Sequence, residues 1–159
     1  MGCAWRGSVK DDRMWTELIS SLAGDVDLGG PGCEQEMRVA EVVLGHPLPA
    51  ALKDFWRVAD GARDKYGAGV VGSVGEVVDR NLEFRSSADF RGLYMPFDPL
   101  LLFGESGGGD LFAFVVKPGR PDVFVWDHES DSRRWVASSL EDYLRRRLGS
   151  GDPEWYASW

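Results

Sequence analysis

Two short stretches carry residue types from which chemistry is commonly built. Gly104-Glu105-Ser106-Gly107-Gly108 fits the G-x-S-x-G spacing of a nucleophile elbow, where a serine on a sharp strand-to-helix turn attacks an acyl carbon. Asp127-His128-Glu129 offers a base for that serine, or three ligands for a metal. The context argues against both. Gly109-Asp110 leads into the apolar β-like run 111–116 rather than a helix, and Asp127, adjacent to His128 in sequence, is poorly placed to orient that imidazole. Ser106 is therefore left without a catalytic role, and a serine hydrolase ranks a distant third among functions. Three consecutive residues at a strand end point in alternating directions, so Asp127, His128 and Glu129 converge on an ion only with partners from elsewhere, and no metal is assigned. A phosphate cradle at Gly107–Gly109 would need a following helix N-terminus and preferably a lysine. Neither follows, so no cofactor is expected. Gly108 and Gly109 read as turn residues, with Asp110 capping the turn and His128 hydrogen-bonding the chain into residues 130–132.

The elements that must position these residues read outward from the same region. Residues 111–116 and 123–126 are β-branched and aromatic, bounded by Gly and Pro and joined by Lys117-Pro118-Gly119-Arg120-Pro121, which predicts a hairpin. Both runs are apolar on both faces, so they belong at the centre of a sheet covered above and below. Residues 67–71, 100–103 and 134–137 predict further strands. Trp15, Leu18, Ile19 and Leu22 recur at helical spacing and predict a first helix closing near Gly24. After a loop over 25–33, a second helix over 34–44 places Met37, Ala40, Val43 and Leu44 on one face, and Gly45 stops it. Leu48-Pro49 opens a third, with Pro49 in the first helical position and Leu52, Phe55, Trp56 and Ala59 as its stripe before Gly61. Ser73-Val-Gly-Glu76 has the spacing of a capping box for a brief helix through Asp79, and 81–96 reads as a long polar surface loop. A second box, Ser138-Ser-Leu-Glu141, leads a last helix with Leu140, Tyr143, Leu144 and Leu148 inward. Arg145 to Arg147 complement its C-terminal dipole, and Gly149 caps it. Helices, then strands, then a helix predict a single α+β domain with a mostly antiparallel central sheet.

A chain of 159 residues, 43% hydrophobic and 12% aromatic, suits one domain that buries roughly two-thirds of its unfolded surface. No apolar run approaches the roughly 20 residues of a membrane span, and the first residues hold no secretion-signal core, so no membrane association and a cytoplasmic location are expected. Arg6 stands where a myristoylation motif wants Ser or Thr. Cys3 and Cys33 have no metal spacing and read as reduced, incidental thiols. The formal charge is −8, and residues 98–142 hold nine acids against four bases, a net of −5. Such a field repels nucleic acid and attracts a basic protein, with Asp98, Glu105, Asp127, Glu129 and Asp131 as candidate contacts. The plainer reading is that the charge serves solubility alone. Trp155, Tyr156 and Trp159 either fold back on the core or form a docking element; folding back is the expected outcome.

The ordered series Trp15, Glu41 with Leu44-Gly45, Leu48-Pro49, Phe55-Trp56, Asp60-Gly61, Leu102-Phe103-Gly104, Gly108-Gly109-Asp110 and Trp126-Asp127-His128-Glu129 before a closing helix resembles the SMI1/KNR4 family, also called the SUKH superfamily. The resemblance covers residues 12–148, leaving an N-terminal extension over 1–11 and an aromatic tail over 149–159. Asp60-Gly61 stands where many members carry Asn-Gly, which preserves the turn chemistry. The resemblance implies an α+β domain without established enzymatic activity. It further implies either a bacterial immunity protein that neutralises a toxin, often a nuclease, or an intracellular regulatory or scaffold module with no toxin partner. It fixes no oligomeric state.

Overall fold

Helices alternate with three short strands before the four longer strands and a closing helix. The computed structural model describes residues 9–22 and 26–157. In chain order the elements are α1 (Val9–Leu22), β1 (Asp27–Leu28), α2 (Glu34–Leu44), α3 (Ala50–Val58), β2 (Ala62–Arg63), β3 (Gly69–Val71), α4 (Val74–Ser86), α5 (Ala88–Leu93), β4 (Leu100–Glu105), β5 (Leu111–Val116), β6 (Gly119–Trp126), β7 (Arg133–Ala137) and α6 (Leu140–Gly149). They build two antiparallel sheets, β1-β2-β3 and the meander β4-β5-β6-β7, so the α+β expectation holds.

The two-faced strands β5 and β6 lie at the centre of the meander, Phe112 opposite Val125 and Ala113 opposite Phe124. Alternation then divides the core. Leu101, Phe103, Phe112, Phe114, Val123 and Val125 face the larger half with Trp15, Met37, Phe55, Trp56 and Tyr143, while Leu100, Leu102, Leu111, Ala113 and Trp126 face a smaller one. Each fully buried large apolar side chain contributes roughly 1.5–3 kcal/mol, which explains why both faces are covered.

The smaller half corrects the expectation of a surface loop over 81–96. The capping box at Ser73 and Glu76 forms, but α4 continues beyond Asp79 to Ser86 and α5 follows it. Phe84, Phe90, Tyr94 and Phe97 surround Trp126 there, with Phe97 and Tyr94 each 5.2 Å from it in edge-to-face contact. Four aromatic residues scattered among polar ones give no clean helical period, yet they suffice to cover one sheet face. Other differences are local. β1 lies inside the predicted 25–33 loop and pairs with β2. Val43 is exposed, and only Met37, Ala40 and Leu44 of its predicted face are buried. Pro49 is the N-cap of α3 rather than its first residue. The β5–β6 turn shortens to Lys117-Pro118, β6 starting at Gly119. Ser139, not Ser138, caps α6 by accepting the Asp142 N–H, and Gly149 belongs to the helix. The Gly24 stop and Trp159 lie outside the described residues.

Cys33 is disulfide-bonded, which corrects the expectation of a reduced thiol. Cys3, the chain's other cysteine, lies outside the described residues.

One hydrogen bond joins the two sheets where the motifs lie, and two more tie α3 and α6 to the β3 segment. The Gly72 N–H donates to Phe103 O (2.7 Å), the Trp56 indole to Gly72 O (2.8 Å) and the Tyr143 hydroxyl to Val70 O (2.7 Å). A Cβ on Gly104 would lie 2.6 Å from Val70 O, so only glycine lets β3 and β4 approach this closely.

Candidate functional site

The sequence motifs meet at one end of the meander, where two strand turns and the C-terminal tail come together. Ser106 donates its N–H to Asp110 O (3.0 Å), closing a β4–β5 turn in which Gly107 and Gly109 take φ of +92° and +109°. A Cβ on Gly109 would stand 2.9 Å from the His128 ring, so the glycine makes room for the imidazole arriving from the β6–β7 turn. Asp110 Oδ1 accepts from the His128 backbone N–H (3.1 Å) and pairs with its Nδ1 (2.7 Å), while Oδ2 accepts the Tyr156 hydroxyl (2.9 Å). Burial alone would push the Asp110 carboxyl up, but the bonds from His128 and Tyr156 outweigh it and hold it below the ordinary value. The same Asp110 bond raises the His128 imidazole above its ordinary value. The two turns and the tail are thus locked through one carboxylate.

That geometry accounts for the residues weighed, and set aside, for catalysis or metal binding. No helix follows Ser106, whose Oγ accepts the Gly108 N–H (3.1 Å), and His128 is oriented by Asp110 rather than Asp127. Asp127 Oδ1 accepts the N–H groups of Glu129 (2.9 Å) and Ser130 (3.3 Å). Asp110 supplies the partner from elsewhere that the sequence lacked: Asp110, Asp127 and His128 each place a ligand-type atom within 4.8 Å of the others. Oxygens of both carboxylates, however, already serve N–H and O–H donors within the turns.

The candidate partner-binding acids divide into two kinds. Asp131, at φ +59°, accepts from the Met95 N–H (2.9 Å) and the Trp126 indole (2.8 Å) and pairs with Arg133. Burial raises its carboxyl, but these donors prevail and lower it, so Asp131 anchors the turn. Glu105 likewise accepts the Gly69 N–H (2.9 Å) and bridges Arg80 (3.1 Å). Asp98 and Glu129 are exposed. The remaining motif residues build the frame: Leu48 donates its N–H to Glu41 Oε2 (2.8 Å), Trp56 is fully buried, and Gly61 takes φ +100° against the Ser73 backbone.

Beside the β4–β5 turn lies an open cleft of about 990 Å³, walled by the β2–β3 turn on one side and residues 151–156 on the other. Sequence reading missed it, together with Tyr156 as a partner of Asp110, because both depend on contacts between distant segments. Trp155 and Tyr156 do fold back: Trp155 stacks on Phe112 at 5.7 Å with planes 15° apart.

One family model matches the span that carries all of the ordered motifs but Trp15. Described as SMI1-KNR4 cell-wall, it covers residues 34–144, more than two thirds of the chain. The chain belongs to the SMI1/KNR4 family. No curated protein matches it closely enough to count as a relative. Outside the matched span of this SMI1/KNR4 domain lie α1, whose Trp15 meets Phe55 edge-on at 5.7 Å, β1, and the tail that supplies Tyr156 to Asp110. None of the described helices is long and apolar enough to cross a membrane.

Proposed function

We propose that this SMI1/KNR4 domain is a non-catalytic protein-binding module of the immunity type, which neutralises a basic, nuclease-type toxin by covering its nucleic-acid-binding surface with an acidic one. The observation that carries the reading is the formal charge of −8 on a fold whose serine, histidine and aspartates hold turns together. Opposite charge steers encounter and raises association rates by roughly 10 to 1,000 times at low salt, with a few aromatic anchors then setting affinity. Catalysis has no part in it. Ser106→Ala and His128→Ala leave binding chemistry in place and remove no turnover; esterase activity that vanishes with Ser106→Ala refutes the non-catalytic reading. The test of the partner is a pull-down from the native cell with the full chain as bait, followed by association kinetics at low and high salt. A basic partner whose association slows as salt rises supports the proposal. Recovery of neutral or acidic partners alone, or salt-independent association, refutes it and favours the regulatory or scaffold role.

A further inference from the structure

The cleft beside the β4–β5 turn has a stiff aromatic lip on one side and uncompensated acids on the other. Its first wall is the β2–β3 turn, where Asp64 Oδ1 accepts the N–H groups of Tyr66 (2.9 Å) and Ala68 (3.0 Å) and Arg63 Nη1 donates to Gly67 O (3.1 Å). This network fixes the backbone and presents Tyr66, which is 82% exposed. An aromatic side chain of that size standing in water on a preorganised turn loses little freedom when a partner covers it. The second wall, residues 151–156, is pinned by Trp155 on Phe112 and by Tyr156 on Asp110.

Charge is unequal across the cleft. Asp64 is compensated by Arg147 (3.5 Å) and Glu105 by Arg80 (3.1 Å). Arg147 itself has a side chain only 7% exposed and donates to the Tyr143 hydroxyl, so it offers no charge to an incoming group. Asp152 and Glu154 are exposed on the tail, and among the described residues neither makes a salt bridge; Asp152 Oδ1 accepts only a local bond from the Glu154 N–H (2.9 Å). Lys65 is the other lining cation, and its Nζ lies 5.3 Å from the Tyr66 ring centroid.

We propose that this cleft is the docking site for a Lys/Arg-bearing surface loop of the partner protein, with Tyr66 as its aromatic anchor and Asp152 and Glu154 as its charge partners. The inference rests on the acidic-module reading above but moves the contact from the acids of residues 98–142 to the tail. A guanidinium stacks on the side of the Tyr66 ring that Lys65 leaves open, as cations do over aromatic rings, while its neighbours pair with the two carboxylates.

The test is an amide NMR titration of the full chain with a short peptide alternating Arg and Gly, against a Glu-Gly peptide of equal length. Shifts at Tyr66, Gly67, Gly108 and Glu154 are expected, weakening with salt. Binding falls roughly tenfold in Tyr66→Ala and in the pair Asp152→Lys with Glu154→Lys, and stays unchanged in the pair Asp98→Lys with Glu129→Lys. If the tail reversal unfolds the chain, Asp152→Asn with Glu154→Gln replaces it. The opposite pattern, loss with Asp98 and Glu129 reversed and none with the tail pair, overturns the cleft while the acidic-module reading stands. Absent or salt-independent binding, or equal binding of the Glu-Gly peptide, overturns both.

Discussion

Asn81 is fully buried on α4, and its amide does for β4 what a neighbouring strand would do. Nδ2 donates to Leu102 O (2.8 Å) and Val77 O (2.7 Å), and Oδ1 accepts the Leu102 N–H (2.8 Å). Replacing Asn81 with leucine, close in size, strands both backbone groups of Leu102 away from water. Each such orphan costs about 1–3 kcal/mol, so about 2–6 kcal/mol in all, of which the added apolar burial returns a fraction. An expected loss near 4 kcal/mol is large against the roughly 5–15 kcal/mol of a typical domain. Urea unfolding followed by tryptophan fluorescence reads it directly: with a slope of about 2 kcal/mol/M, the midpoint drops by about 2 M. Asn81→Asp keeps the acceptor for the Leu102 N–H but sets a buried carboxylate against the Leu102 carbonyl, and should do no better. A leucine variant within about 1 kcal/mol of the parent at an unchanged slope would refute the strand-mimic argument.

Gly109→Ala combines a Cβ 2.9 Å from the His128 ring with φ +109°, so it should cost about 1–3 kcal/mol and let the His128 pKa fall back toward its ordinary value; an unchanged imidazole NMR titration would refute this. Trp155→Ala should cost about 3–5 kcal/mol by stripping the cover from Phe112, and a melting temperature equal to the parent's would show that the tail contributes nothing. The two histidines act with opposite sign. Burial, with the Arg85 charge alongside, holds His46 below 6.5, and its neutral ring donates from Nδ1 to Pro47 O while Nε2 accepts from Arg85; its stability contribution is present above 6.5 and lost as pH falls through the lowered value. His128, raised by Asp110, contributes fully below 6.5 and loses its share as pH rises through the raised value. Melting temperatures from about pH 5 to 8 should therefore lose their acid-side decline in His46→Gln and their opposing component in His128→Gln, and parallel profiles for all three chains would sink the assignment.

Much of this architecture was legible because it is written in local signals. Ser73 with Glu76, Gly45 at φ +79° and the two-faced runs of β5 and β6 each specify their own structure within a few residues. What escaped reading depends on partners far along the chain. Asn81 looks like loop polarity until Leu102 is beside it, and the aromatic residues of α4 and α5 look aperiodic until Trp126 lies beneath them. At the site, the glycines and His128 were readable as turn residues. Asp131 and Glu105 were readable as charges but not as the acceptors that brace their turns, since their donors Met95 and Gly69 are 36 residues away.

The meander also sets an order of assembly. Its three connections span residues 106–110, 117–118 and 127–132, so each strand reaches its partner by closing a very short loop. β1 instead meets β2 only after α2 and α3 have been laid between them, from Asp27 to Arg63. Entropy of closure therefore favours the 100–137 segment as the nucleus on which the helices later condense. Core truncations there, at Phe112 or Val125, should slow folding, whereas truncations at Trp15 or Trp155, joined last from the two ends of the chain, should chiefly hasten unfolding.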